Sequence, residues 1–156
     1  MTEPEPTGTP LPHTWRPRRT RKFCRALSAV LLVVFGSVAA LLPGGGGFSF
    51  SFLDRVGVFA FAAGIAWFLN RHASVLVRAT TEGLEVVNLF HTRRFSWGEV
   101  LAVRLRPGDP WAFIDIADGE TVALMGIQAS DGPAATAAAR ELARLARRLT
   151  PGQPQG

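Results

Sequence analysis

Asp115, Asp118 and Glu120 crowd one short stretch, and the chain holds three histidines, His13, His72 and His91. Paired carboxylates are what general acid–base chemistry uses, and histidine beside carboxylate is what a metal site uses. The local pattern assigns these residues other work. Asp118-Gly119 has the form of a two-residue hairpin turn, which accounts for Asp118, and Asp115 and Glu120 beside it read as a solvated face. The histidines are scattered between an N-terminal segment, the end of an apolar run and a turn. His-Glu-x-x-His, Cys-x-x-Cys, an Asp-rich calcium loop and Gly-x-Ser-x-Gly are all absent from the sequence. The run Gly44 to Gly47 lacks the Lys-Ser/Thr of a phosphate-binding loop. Cys24 stands alone, without a disulfide partner. The expectation is a protein that is not an enzyme and has no metal and no cofactor.

Binding chemistry has more to draw on. The stretch His91-Thr-Arg-Arg-Phe-Ser-Trp-Gly-Glu-Val100 places Arg93 and Arg94 in succession on a strand, on opposite faces. With Arg78 they are the candidate ligand-binding residues, facing either an anionic lipid or a protein partner. The loop Thr80-Thr81-Glu82-Gly83 is acidic and holds no lysine, so it offers no basic cluster to an anionic headgroup.

The elements that must position these residues alternate with period two. Apolar–polar alternation predicts strands over 75–79, 84–90, 93–97, 99–105, 111–117 and 120–127, separated by turn sequences. Ser130-Asp131-Gly132-Pro133 then opens a helix, with Ala138, Leu142, Leu145 and Leu149 as its apolar face. Arg140, Arg144 and Arg147 form a stripe nearly opposite, and Pro151 ends the helix. Trp97 is large enough to fill the gap between sheet and helix. Leu101, Val103 and Leu105 are expected on the face of their strand opposite Val100.

Upstream lie two greasy runs. Residues 26–42 carry no charge, and 56–69, extended by 48–53, form a second apolar stretch. A seventeen-residue helix is ~25 Å long, just enough for a bilayer core when flanking residues help. Pro43 and the glycines break the chain between the two runs. Arg16, Arg18, Arg19, Arg21, Lys22 and Arg25 precede the first run, and Arg71, His72 and Arg78 follow the second. The positive-inside rule therefore puts both ends in the cytoplasm. A cleaved signal peptide is the rival, but it would leave the second run without a partner. A water-soluble hairpin would need polar faces that neither run has. Gly36/Ala40 and Ala60/Gly64 are small-residue pairs through which the helices could pack together or form a homo-oligomer. The proline-rich residues 1–22 lack apolar periodicity and read as a disordered cytoplasmic tail whose arginines lie at the anionic leaflet. The net charge of +5 thus needs no nucleic acid as its partner. The arginine bias points to a GC-rich, bacterial gene.

Taken together, Gly83-Leu84-Glu85-Val86, the Arg93-Arg94-Phe95 strand, Ser96-Trp97-Gly98-Glu99-Val100 and the terminal helix resemble bacterial pleckstrin-homology (PH)-like domains. With the paired apolar runs, the chain resembles the actinobacterial low-molecular-weight antigen family of membrane-anchored PH-like proteins. The resemblance implies two sheets closed at one end by a helix. The expected fold is α+β: a disordered tail over 1–22, a two-span transmembrane hairpin over 23–72, a PH-like sandwich or barrel over 73–149 and a disordered tail over 150–156. The expected function is a multi-pass plasma-membrane protein with both termini cytoplasmic, presenting a non-catalytic interaction module to a protein or peptide. The alternative is an anionic-lipid-binding or envelope-stress sensor.

Overall fold

The computed structural model describes residues 9–43 and 50–150. The glycine run, the extension 48–49, residues 1–8 and the tail 151–156 fall outside them. The chain divides into two units, one of residues up to Arg18 together with Val75 onward, the other Arg19–Ser74.

The second unit is a pair of helices, α1 (Arg18–Leu41) and α2 (Phe52–His72). They are 24 and 21 residues long, and each contains an eighteen-residue stretch, of mean hydropathy 2.1 in α1 and 1.6 in α2, so both are long and apolar enough to cross a membrane. Asp54 and Arg55, which the sequence places between two apolar pieces, instead finish the helix ends. Ser51 is the N-cap of α2, and Asp54 closes the capping box by accepting from the Ser51 backbone N–H at 2.8 Å. Arg55 donates to the Leu42 carbonyl at 2.7 Å, where the carbonyls ending α1 lack partners within their own helix. Between the helices, buried Ser28 donates to the Ala66 carbonyl at 3.3 Å. Large apolar side chains point outward: Val33, Leu41, Phe52, Leu53, Phe61 and Trp67 are all exposed.

The first unit holds seven strands in two antiparallel sheets. β1 (His13–Trp15), β2 (Leu76–Ala79), β3 (Gly83–Val87) and β4 (Thr92–Ser96) form one in that order. β5 (Val100–Arg104), β6 (Trp111–Ile116) and β7 (Thr121–Gln128) form the other. The helix α3 (Pro133–Leu149) packs on β5 and β7. Inward-facing Val77, Leu84, Val86, Phe95, Ile114 and Leu124 meet α3 residues Leu142 and Leu145 in one core. β7 crosses β2 at Gly126, where a Cβ would lie 2.5 Å from the Val77 nitrogen. Only glycine lets the two backbones come this close.

Three departures from the sequence reading have clear causes. The first concerns the expected disordered tail: His13–Trp15 pair with Val77–Ala79, and α1 already starts at Arg18. Trp15 is buried in the domain core, its indole N–H donating 3.1 Å to Glu141 on α3, which also accepts from the Thr9 hydroxyl. The Arg18 backbone N–H donates to Asp131 at 3.0 Å. These contacts order a segment too short to show a periodicity of its own.

The second departure is at β5, where a bulge between Val100 and Ala102 shifts the alternation. Val100 is buried, Val103 and Leu105 pack against the same core, and Leu101 is left 67% exposed. The third is in α3: Leu142 and Leu145 of the expected face are buried, but Ala138 and Leu149 are only partly so, and Ala135, Ala139 and Ala146 complete the buried face. That face turns towards β5 because α3 packs there.

Trp97 lies where the sequence reading puts it. It is buried in a short 3-10 turn, Trp97–Glu99, and its indole N–H donates to the Thr80 carbonyl at 3.0 Å. The Thr150 hydroxyl at the end of α3 donates back to the Trp97 carbonyl at 3.2 Å.

If Trp15 is a core residue, Trp15→Ala should lower the domain's stability by about 3–5 kcal/mol. Chemical unfolding of the full chain in detergent, followed by the fluorescence of the remaining tryptophans, measures this; a loss near zero would mean that the segment is dispensable.

Candidate functional site

The three candidate arginines do not form one cluster. Arg78 on β2, Glu85 on β3 and Arg94 on β4 are direct cross-strand partners on the outer face of the four-stranded sheet. Both arginines converge on the Glu85 carboxylate, Arg78 at 3.4 Å and Arg94 at 2.9 Å. This row lines one side of an open depression of about 470 Å³, with Thr80, Glu82, Gly83 and Ser96 as neighbours. Two arginines there face two glutamates, so the depression carries no net positive charge to concentrate an anion. Gly83 allows the turn to press against β4, since a Cβ would meet the Phe95 carbonyl at 2.1 Å.

Arg93 points the other way. Its guanidinium lies 5.0 Å over the Phe95 ring and pairs at 2.6 Å with Glu120, in the turn between β6 and β7. That pairing raises the Arg93 pKa and lowers that of Glu120, each chiefly through the hydrogen bond between them. Arg104 pairs with Asp115 at 2.8 Å, and Thr121 donates to the same carboxylate at 2.7 Å. Asp118 accepts from the Glu120 backbone N–H at 2.9 Å, as a hairpin-turn aspartate does. Every carboxylate of the suspected acid–base group is therefore held by a structural partner. His91 is exposed in the turn after β3, and no group of three metal-ligating side chains occurs among the described residues.

Sequence reasoning missed Asn88. The strand expected to run to residue 90 stops at Val87, and the turn closes by the Asn88 N–H donating to the His91 carbonyl at 2.9 Å. The Asn88 side chain then donates to the Ala123 carbonyl at 2.8 Å and accepts from the Met125 N–H at 3.2 Å. The carboxamide copies a strand residue and occupies part of the outer edge of β7. An asparagine in a hairpin turn looks like ordinary turn chemistry, so the sequence could not announce this bond.

The seven strands, four and three in separate sheets with a terminal helix packed on the core, are the PH-like arrangement. Residues 75–146 match the bacterial PH domain family. An uncharacterized protein of Mycobacterium tuberculosis is 33% identical over 148 residues, covering 92% of this chain and 96% of the relative. An uncharacterized protein of Mycobacterium bovis matches to the same extent. The chain belongs to this bacterial PH-domain family, in a form shared with mycobacteria along nearly its whole length. No solved structure matches it.

Two outcomes follow from these contacts. Glu85→Gln should release Arg78 and Arg94 and raise the protein's binding to phosphatidylglycerol vesicles in a salt-sensitive way, while changing stability by no more than about 1 kcal/mol. Vesicle co-flotation reads the first effect and thermal unfolding the second. Glu99 accepts from the Ser96 hydroxyl and backbone N–H, at 2.7 and 2.6 Å, and these bonds hold its pKa below the usual glutamate value. A lowered folded pKa contributes stability that is full above the unfolded value of about 4.3 and is lost as the pH falls through the lower folded value. The stability gap between the native chain and Glu99→Gln should therefore shrink below about pH 4, as read by unfolding midpoints across that range.

Proposed function

We propose that this chain is a plasma-membrane protein whose two helices span the bilayer and hold the PH-like domain at the cytoplasmic face, where it binds a protein or peptide partner without catalysing a reaction. The observation that carries this reading is the β1–β2 pairing: residues 13–15, before the helices, share a sheet with residues 77–79, after them. A segment on each side of the helical pair can reach one sheet only if the chain enters and leaves the membrane on the same face. Both helices cross, or neither does. The exposed Val33, Leu41, Phe52, Leu53, Phe61 and Trp67 favour crossing, because water would penalise that much outward apolar surface whereas hydrocarbon would not.

The same pairing speaks against a cleaved signal peptide. Cleavage after the first run would remove β1 and, with it, the buried Trp15. The basic residues before α1 and after α2 favour a cytoplasmic domain by the positive-inside rule. Two spans followed by a small domain is also the layout of the actinobacterial low-molecular-weight antigen family. For the domain's role, the support is the PH-like architecture together with carboxylates already tied into turns and ion pairs. The lipid-sensing alternative relied on Arg78, Arg93 and Arg94, which are all engaged by acids.

Topology is testable in whole cells. In a Cys24→Ala background, Gly45→Cys should react with a membrane-impermeant maleimide added outside, whereas Ala137→Cys should react only after lysis. Labelling of position 137 in intact cells would sink the cytoplasmic assignment.

A further inference from the structure

A single carboxylate fastens the N-terminal segment to α3. Glu141 accepts from the Thr9 hydroxyl through Oε1 and from the Trp15 indole N–H through Oε2, the latter at 3.1 Å. Between these two fastenings Leu11 packs partly buried against the core, and just beyond them Pro17 is buried. Residues 9–17 thus form a strap that ends where α1 begins. Glu141 pairs with no arginine among the described residues, although Arg140 and Arg144 stand on the same helix.

The other hydroxyl–carboxylate bonds described above are local. Ser51 donates to Asp54, Ser96 to Glu99 and Thr121 to Asp115, each within six residues. Thr9 reaches Glu141 across 132 residues of sequence, so its bond exists only in the folded domain. It is also the fastening at the outer end of the strap. Residues 9–12 lie in neither helix nor strand, and Pro10 and Pro12 have no N–H to give. No backbone hydrogen bond ties residues 9–12 to other described residues. Lifting them away therefore breaks side-chain contacts alone. Terminal segments held so lightly are where enzymes gain access to a chain.

We propose that Thr9 is a phosphorylation site, and that phosphate there releases the strap from Glu141 and loosens β1. A protein kinase performs the transfer: Thr9 Oγ1 attacks the γ-phosphorus of ATP, the bond from that phosphorus to the β-phosphate oxygen breaks, ADP leaves, and the hydroxyl proton passes to the kinase's base. The ester oxygen can no longer donate to Glu141, and a group of about −1.5 to −2 charge then stands against a carboxylate. The same carboxylate holds Trp15, so the disturbance reaches β1 directly. Three residues beyond Trp15, Arg18 opens α1. A covalent mark at Thr9 thus acts on the strand that leads into the helical pair. This rests on the domain being cytoplasmic, where ATP is found.

Mass spectrometry of the chain isolated from native membranes of growing and stationary cells, with phosphatase inhibitors present, should find phosphate on Thr9. Its absence, or phosphate only on Thr2 or Thr7, overturns the site; if Ala137→Cys is still labelled only after lysis, the cytoplasmic reading stands. Labelling of position 137 in intact cells removes both. Hydrogen exchange on the full chain in detergent micelles tests the release. Thr9→Glu should speed exchange of the amides bonded between β1 and β2 by about tenfold or more, and less so as salt rises. Thr9→Val, which removes the bond without adding charge, should speed it by less than about fivefold. Glu141→Gln should cancel most of the difference between them, since a carboxamide can donate to the added carboxylate. Equal effects of Thr9→Glu and Thr9→Val, or a difference that survives Glu141→Gln, would overturn the switch. Slower exchange in Thr9→Glu would mean that Arg140 and Arg144 capture the new charge and tighten the strap, which would overturn the release.

Discussion

Three residues of backbone pairing hold this molecule's organisation together. His13–Trp15 lie against Val77–Ala79, and between them in sequence stand both apolar helices. The sheet therefore closes over an insertion of more than fifty residues, and Trp15 fills part of the core from the far side of it. A contact so distant in sequence carries a loop-closure cost that local turns do not, although that cost grows only slowly with loop length. The hydrogen bonds from Thr9 and Trp15 to Glu141, and from the Arg18 N–H to Asp131, add further tethers to α3 and the turn before it. The PH-like domain is complete only when the chain has come back from the helical pair to pair β2 with β1, so the helical pair and the closure of the sheet belong to one folding problem.

Electrostatics divides the domain into a neutralised part and an open part. On the sheets, arginine and acid alternate across strands: Glu85 between Arg78 and Arg94, Glu120 against Arg93, Asp115 against Arg104. These pairs are partly exposed and add little stability each. Their larger consequence is local, because a carboxylate beside each guanidinium lowers the potential that a headgroup phosphate would meet. α3 is built differently, with Glu141 turned to the N-terminal segment and the arginine stripe facing outward. Among the described residues of the domain, the arginines left without an acid partner thus lie along α3 and in the connecting segments, at Arg16 and Arg106, rather than on the strand residues that draw the eye in the sequence.

Close backbone approach is the other means by which the two sheets are joined. Gly126 lets β7 pass against β2, and Asn88 ties the β3–β4 turn to the edge of β7. Each junction depends on a small or polar residue whose role exists only between elements. Trp97 works at a similar junction, linking the Thr80 turn, the 3-10 turn and the end of α3 through two hydrogen bonds.

Local chemistry alone determined a good deal. Alternation marked six of the strands, Ser130 to Pro133 marked the start of α3, and unbroken apolar runs marked two helices long enough for a bilayer, since these signals are carried by neighbouring residues. The Trp97 anchor and the hairpin at Asp118-Gly119 were legible for the same reason. Tertiary structure alone decided the rest. A three-residue strand has too few positions to show a period, so β1 exists only because β2, Trp15 and Glu141 meet in space. The bulge that exposes Leu101, the rotation of α3 towards Ala135 and Ala139, and the capture of each candidate arginine by an acid on a neighbouring strand or turn are likewise set by register and packing. A linear sequence states which charges are present; which of them remain free depends on the partners that folding brings alongside.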